Sequence, residues 1–150
     1  MKGEVKIRKR LKDLLNSQKL GVLATHSKRQ PYASLVAIVA TEDLKHLLFA
    51  TTRSTRKYEN LARDPRVAVL VDSRSNQDAD IHNAMAATAT GGAEEVPQSE
   101  REAYLEIYLS KHPHLKDFVS SPTCALIRVK VDTYFLVSRF QRVLELHIQQ

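Results

Sequence analysis

Four hydroxyls and three cations occupy seven consecutive positions: Thr51, Thr52, Arg53, Ser54, Thr55, Arg56 and Lys57. An apolar β-like run, Leu47-Leu48-Phe49-Ala50, leads in, and a short helix-like run leads out. A strand that delivers hydroxyls and fixed cations to a helix N-terminus suits a phosphate. Hydroxyls and backbone N–H groups supply directed hydrogen bonds, and Arg and Lys balance the charge. A polar surface turn has the same composition, so the stretch alone leaves both readings open. Arg56 and Lys57 add a physical constraint. Cations at a helix N-terminus oppose the helix dipole. Two of them call for a nearby anion, either a bound phosphate or Glu59.

Other reactive side chains say less. Cys124 is the single cysteine, so an intrachain disulfide is excluded and a reducing cytoplasm is the expected setting. Its surroundings, Thr123-Cys124-Ala125-Leu126-Ile127, read as a strand in which it is buried filler. His112 and His114 flank Pro113 after a helix, with His82 and His26 elsewhere. No Cys or carboxylate cluster accompanies them at ligand spacing, so the pair reads as a surface loop and no metal is expected. His26 follows a strand at a turn and receives no proton-transfer role. No side chain stands out as a general acid or base, and no catalytic residue is assigned.

The elements that must position these residues follow from periodicity. Residues 4–18 form an amphipathic helix with Ile7, Leu11, Leu14 and Leu15 on one face. Its other face carries Lys6, Arg8, Lys9, Arg10 and Lys12, read as a solvated face. Strands are expected at 20–25, 32–40 and 45–51. The second is apolar on both sides: Tyr32, Val36 and Ile38 alternate with Ala33, Leu35, Ala37 and Val39. A strand wet on one face would alternate with polar residues. This one should be covered on both, by a barrel interior and by a helix, a ligand or a second subunit. Ser34 is its polar exception and needs a partner.

A short helix over 55–63 stops at Asp64-Pro65. A strand at 66–72, a polar loop at 73–80 and a long strand at 83–95 follow, with a bulge at Gly91-Gly92. Ser99 and Glu102 form a capping box for a helix with a broad apolar face, Tyr104, Leu105, Ile107, Tyr108 and Leu109. Strands at 125–131, 134–137 and 143–148 close the chain. Many short strands at hairpin spacing with few glycines indicate a mostly β, antiparallel barrel with flanking helices. At 150 residues the chain is read as one domain. It has no apolar run of membrane-span length and no apolar signal region. A net charge of +6 suits an anionic ligand or a nucleic acid. The lack of an aromatic-rich basic strand argues against nucleic acid.

The order of motifs is specific: Leu20-Gly21-Val22-Leu23-Ala24-Thr25, then Pro31-Tyr32-Ala33-Ser34-Leu35-Val36, a hairpin, Phe49-Ala50-Thr51-Thr52, and Arg56-Lys57-x-x-Asn60-Leu61-x-x-Asp64-Pro65-Arg66-Val67. This set resembles the pyridoxamine 5'-phosphate oxidase-like family of FMN-binding split β-barrels, over about residues 11–131. The resemblance implies a six-stranded antiparallel split β-barrel that forms a homodimer with two FMN sites across the interface. It implies that Ser34, Leu35 and Val36 lie along the isoalloxazine edge and that Ala50, Thr51 and Thr52 touch the ring and ribityl chain. Arg56 and Lys57 are then the phosphate grip, Thr55 assists, and Asn60 orients the loop or the phosphate. Ser73, Arg74, Ser75 and Asn76 resemble a segment that reaches the flavin from the second subunit.

The sequence departs from authentic pyridoxamine phosphate oxidase, whose C-terminal Trp and Arg signature shapes the vitamin site. No tryptophan is present, and the end reads Ser138-Arg139-Phe140-Gln141-Arg142-Val143. Phe140 could stack near the flavin and Arg142 could face a substrate anion; barrel closure and surface charge explain both equally well. The expected function is therefore flavin-dependent oxidoreduction by hydride or electron transfer at the ring, with a non-catalytic flavin- or haem-binding role as the alternative. The fold hosts flavin reductases and haem-utilisation proteins alike, so it does not choose between them.

Overall fold

Leu11, Leu14 and Leu15 recur at helical spacing, and their burial fixes helix α1 (Lys2–Ser17) as the lid of the main core. This computed structural model describes residues 2–139 and 142–150. Strands β1 (Leu20–Ser27) and β2 (Gln30–Ala37) follow as a hairpin. Its turn residues Lys28 and Arg29 both have positive φ, 49° and 68°, as a two-residue turn between right-twisted strands requires. Next come β3 (Val39–Ala40), β4 (His46–Thr52), α2 (Arg56–Arg63), β5 (Arg66–Asp72), α3 (Asp80–Asn83) and β6 (Ala86–Glu95). The chain ends with α4 (Gln98–Lys111), α5 (Lys116–Ser120), β7 (Cys124–Ser138) and β8 (Arg142–His147).

The sheet runs β2-β1-β5-β6-β7-β4-β3, with β8 added to β7, and every pairing is antiparallel. The two end strands of that order, β2 and β3, are one stretch of chain interrupted at Ile38. The first part pairs with β1, Leu20 opposite Ala37, and the second with β4, Val39 opposite Leu48. One segment thus joins both ends of the curled sheet. The result is the antiparallel split barrel with flanking helices that the motif order implied.

Several details differ from the sequence reading. The strand expected at 32–40 is broken at Ile38 because its halves have different partners. The strands expected at 125–131 and 134–137 are the single strand β7. Its register against β6 shifts between Thr90 and Gly91, leaving Asp132 as the extra residue. The expected bulge is there, and it needs glycine: a Cβ on Gly91 would lie 2.0 Å from the carbonyl oxygen of Lys130. The strand expected from 83 begins at Ala86, because residues up to Asn83 belong to α3. The capping box does not form. Helix α4 starts at Gln98, so Ser99 is already inside it, and no side chain caps its start. Of that helix's apolar residues only Tyr108 is buried.

Two cores result. Leu23, Val36, Phe49, Val69, Ile127 and Tyr134 fill the barrel beneath α1. Val39, Leu48, Tyr108, Val119, Cys124 and Leu126 pack between the outer face of β4 and β7 and helices α4 and α5. Cys124 is the buried filler expected, and burial pushes its thiol pKa up. His112 is not in a surface loop. It is buried, with Nε2 2.8 Å from the carbonyl oxygen of Ile38, where the strand break leaves that group without a sheet partner. The Tyr108 hydroxyl donates to the neighbouring Ala37 carbonyl at 2.9 Å.

Among the described residues no helix covers the outer face of β1, β2 and β5. Leu35 is 67% exposed and Leu20 55%. The expected cover on both faces of β2 is therefore supplied, within one chain, only on the barrel side. Among the described residues no helix is long and apolar enough to cross a membrane.

Candidate phosphate and ring site

The hydroxyls after β4 build the turn that starts α2. Thr55 is its N-cap in an extended conformation, and its Oγ1 accepts from the Tyr58 amide at 3.3 Å. That hydroxyl also lies 2.9 Å from Thr51 Oγ1 and donates to the Thr52 carbonyl at 3.0 Å. Thr52 Oγ1 reaches Ser54 Oγ at 3.4 Å. The turn is thereby fixed, and the amides of Arg56 and Lys57 open the helix with no intrahelical acceptor.

The three cations part company. Arg53 is spent on structure: its guanidinium donates to both Glu95 oxygens at 3.1 and 2.6 Å and to the Pro122 carbonyl at 2.9 Å. The Tyr58 hydroxyl adds a bond to Glu95 at 2.9 Å. The Arg53 hydrogen bonds, helped by Tyr58, outweigh burial and hold the Glu95 carboxyl below its usual range. Arg56 is exposed and Lys57 half-buried, and neither makes an ion pair among the described residues. Glu59 is exposed and pairs with neither, so it is not their compensating anion. The Arg56 guanidinium instead sits over the Tyr32 ring, 5.6 Å from its centroid.

Asn60 turns inward. It is buried, and its Nδ2 donates to Thr25 Oγ1 at 3.1 Å. The bond ties α2 to β1. On β2, Ser34 Oγ is the one buried side-chain polar atom without a hydrogen-bond partner among the described residues. Ser34 lies opposite Leu23 of β1, two pairs in from the Thr25–Tyr32 pair.

Period-two alternation splits the remaining candidates. Thr51 and Val36 are buried on the barrel side. Ala50 and Thr52 are half-buried, and Leu35 projects from the bare outer face. Thr51 and Thr55 are bonded to each other at the start of α2, Asn60 ties that helix to β1 through Thr25, and Arg56 reaches β2 through Tyr32, two residues before Ser34. Ser73 and Asn76 do not join them in the same chain. They follow β5, which starts at Arg66 beside the end of α2 and runs about 20 Å away. Their loop is self-contained: Ser73 exchanges bonds with the Met85 backbone. Asp80 accepts from the amides of Ser75, Asn76 and Gln77 and from the Ser75 hydroxyl. Burial raises the Asp80 carboxyl, but those bonds outweigh it and the pKa is lowered.

The pyridoxamine 5'-phosphate oxidase family pattern matches residues 7–138. The chain belongs to that family. No curated protein matches the sequence. Among solved structures the oxidase-family chain is similar to a haem-binding protein from Mycobacterium smegmatis, with TM-score 0.82 and 19% identity over 93% of this chain and 57% of that one. It thus spans little more than half the length of that protein. It is also similar to an FAD-binding protein from Mesorhizobium loti, with TM-score 0.68 and 18% identity over 85% and 89% of the two chains. General Stress Protein 26 from Bacillus anthracis gives TM-score 0.72 and 19% identity over 95% and 98%. At such identities these likenesses establish the fold.

Two features of this family member were not legible as site residues. Tyr32 read as one more apolar position on β2; its period-two relation to Ser34 was the available signal. His26 proves to have a partner, with Nε2 3.0 Å from Asp64 Oδ2. Arg66 grips the same carboxylate at 2.7 and 3.0 Å and, with its amide, holds Asp64 far below the usual carboxylate range. Arg142 is exposed at the start of β8. Phe140 lies outside the described residues.

Proposed function

We propose that this protein binds FMN as a homodimer and serves as a flavin-dependent oxidoreductase. The observation that carries the reading is the pair Arg56 and Lys57, two cations without an ion-pair partner in the first turn of α2. A flavin phosphate has close to two negative charges near neutral pH. Placed there it would balance both side chains, accept from the free amides and face the positive helix end.

The rest of the site fits the same ligand. The unpartnered Ser34 hydroxyl would bond the ring edge, and the backbone of Leu35 and Val36 would meet the ring heteroatoms. Ala50, Thr51 and Thr52 would border the ring and ribityl chain. The bare outer face supports the dimer: Leu20, Val22, Leu35 and Leu70, edged by Asp72 and Arg74, line a cleft of about 200 Å³. Covering that face with a second copy would complete the burial that β2 lacks. It would also give Ser73 and Asn76 a flavin to reach, in the other subunit. When bound, FMN supplies the hydride or electron chemistry. The chain's own residues hold the phosphate, orient the ring and exclude water.

The test is a titration of purified protein with FMN, followed by visible spectra and mass spectrometry of the released ligand. A flavin spectrum that the double variant Arg56→Ala, Lys57→Ala no longer acquires supports the site. Saturating FMN with no binding, or a Soret band on adding haemin instead, overturns it. Reduction of the bound flavin by a nicotinamide cofactor, with turnover on a second acceptor, separates an enzyme from a carrier.

A further inference from the structure

Arg56 is not left free to wander at the mouth of the site. Its guanidinium carbon lies 5.6 Å from the centroid of the Tyr32 ring, within cation–π range. Tyr32 stands opposite Thr25 in the β1–β2 ladder. The Thr25 hydroxyl accepts from Asn60, and Asn60 follows Arg56 by one helical turn. The contacts close a circuit: Arg56 to Tyr32, across the ladder to Thr25, to Asn60, and back along α2. The helix is tied to the hairpin at two points one turn apart, and one of those points is the cation itself.

We propose that Tyr32 is a positioning and specificity residue, whose ring holds the Arg56 guanidinium for the flavin phosphate and so favours FMN over phosphate-free riboflavin. The inference rests on the reading of the site given above. A free arginine side chain samples many rotamers, and ordering it on a ligand costs affinity. An aromatic ring removes part of that cost without neutralising the cation. A carboxylate would do the reverse, as Glu95 does for Arg53 by occupying its donors. Tyr32 is well suited to the task because its ring has only two torsions and stands on a paired strand. Lys57 has no aromatic platform among the described residues, so the effect belongs to Arg56. Tyr32 is 39% exposed, which leaves the stacked guanidinium within reach of a ligand.

The experiment titrates FMN and riboflavin into the full chain and into Tyr32→Leu, Tyr32→Phe, Arg56→Ala and the Tyr32→Leu, Arg56→Ala double variant. Thermal unfolding of each flavin-free protein is measured alongside. Tyr32→Leu should weaken FMN roughly three- to tenfold while riboflavin stays within about twofold. Unfolding should be unchanged, and Tyr32→Phe should match the parent because it keeps the ring. In the Arg56→Ala background the leucine change should add nothing, since its effect passes through that side chain. Parent-like FMN affinity in Tyr32→Leu overturns the proposal, as does an equal loss for both flavins or an undiminished effect without Arg56. A parent that binds FMN and loses it in Arg56→Ala, but not in Tyr32→Leu, refutes the positioning role alone. A folded parent that binds no FMN refutes the site and the role together.

Discussion

Arg53 and Arg56 are three residues apart and live in opposite circumstances. Arg53 faces the side of the barrel that α4 and α5 cover, where cations are matched within the chain. It meets Glu95, and deeper on that side the buried Arg128 meets Glu94 at 2.6 Å and Glu100 at 3.1 Å and lies over the Tyr104 ring. At the start of α2, outside the cover of α4 and α5, Arg56 and Lys57 find no carboxylate among the described residues, and Ser34 on the neighbouring hairpin keeps an orphaned hydroxyl. On the covered side charge has been used to hold the fold. On the open side it has been left over, at a helix end where the dipole makes cations unwelcome. The proposed flavin phosphate would balance it.

Exchanging the two sides experimentally gives the largest effects. Replacing Arg56 and Lys57 by Ala removes two charge-assisted contacts worth roughly 1.5–3 kcal/mol each, so FMN affinity should fall by about two to four powers of ten. Urea unfolding of the flavin-free protein should hardly change. Arg128→Leu should do the opposite. It should cost about 2–3 kcal/mol of stability, near the lower end for a broken buried pair because both glutamates remain partly hydrated, and leave FMN affinity alone. If the α2 double variant destabilised the fold as much as Arg128→Leu, the contrast between spent and spare charge would be lost.

The apolar residues divide the same way. Val119, on α5, is fully buried, and Leu35 is 67% exposed. If the proposed dimer forms through this face, Leu35→Asp should leave a folded chain that sediments as a monomer where the parent sediments as a dimer, with stability of the monomer changed by only about 0.5 kcal/mol. Val119→Asp should abolish cooperative folding, since its carboxylate has no hydration to fall back on. A Leu35→Asp protein that stays dimeric places the second copy elsewhere.

Acid should find the covered side first. Burial lowers the pKa of His112, and the nearby Lys111, His114 and Lys19 push it the same way against the Ile38 carbonyl. Burial likewise lowers His46, with Arg128 and Lys130 adding to it against Asp43 and Glu94. In the unfolded chain these rings bind protons at their ordinary pKa near 6.5, above the folded value. Stability from this source is therefore complete above about pH 6.5 and falls as the pH drops through the folded pKa values. Urea midpoints at descending pH should show the loss. His112→Gln, which keeps a donor for Ile38, should flatten the slope; an unchanged slope would assign the acid sensitivity to other groups.

What the sequence could and could not convey follows the same division. Local signals were sound: the α1 leucines, the Gly91 bulge and the proline stop at Asp64 depend on neighbours in the chain. Partnerships between distant residues were not legible. Nothing in residues 32–40 says that one half pairs with β1 and the other with β4, so the break at Ile38 was invisible. His112 looked like loop because its reason for burial, the Ile38 carbonyl, is set by that break. The strands expected at 125–131 and 134–137 stopped short of Asp132-Thr133, because the bulge that keeps them in one strand is set by pairing with β6. For the site, the composition of 51–57 could show that cations were abundant. It could not show that Glu95, 42 residues on from Arg53, would take that one and leave the others.

Ser34 offers the smallest effect and the sharpest sign test. Its hydroxyl is buried without a partner, which destabilises the flavin-free fold by about 1–3 kcal/mol relative to a satisfied group. Ser34→Ala removes the unmet demand with little change in packing. The flavin-free variant should then be as stable as the parent or more so, by up to about 1 kcal/mol. If the ring edge is the missing partner, the same variant should bind FMN more weakly, by roughly the 0.5–1.5 kcal/mol of one neutral hydrogen bond. The two measurements must move in opposite directions. A variant less stable without flavin would mean that the hydroxyl already serves the fold. One more stable, yet equal in FMN affinity, would keep the phosphate grip at α2 but move the ring away from β2.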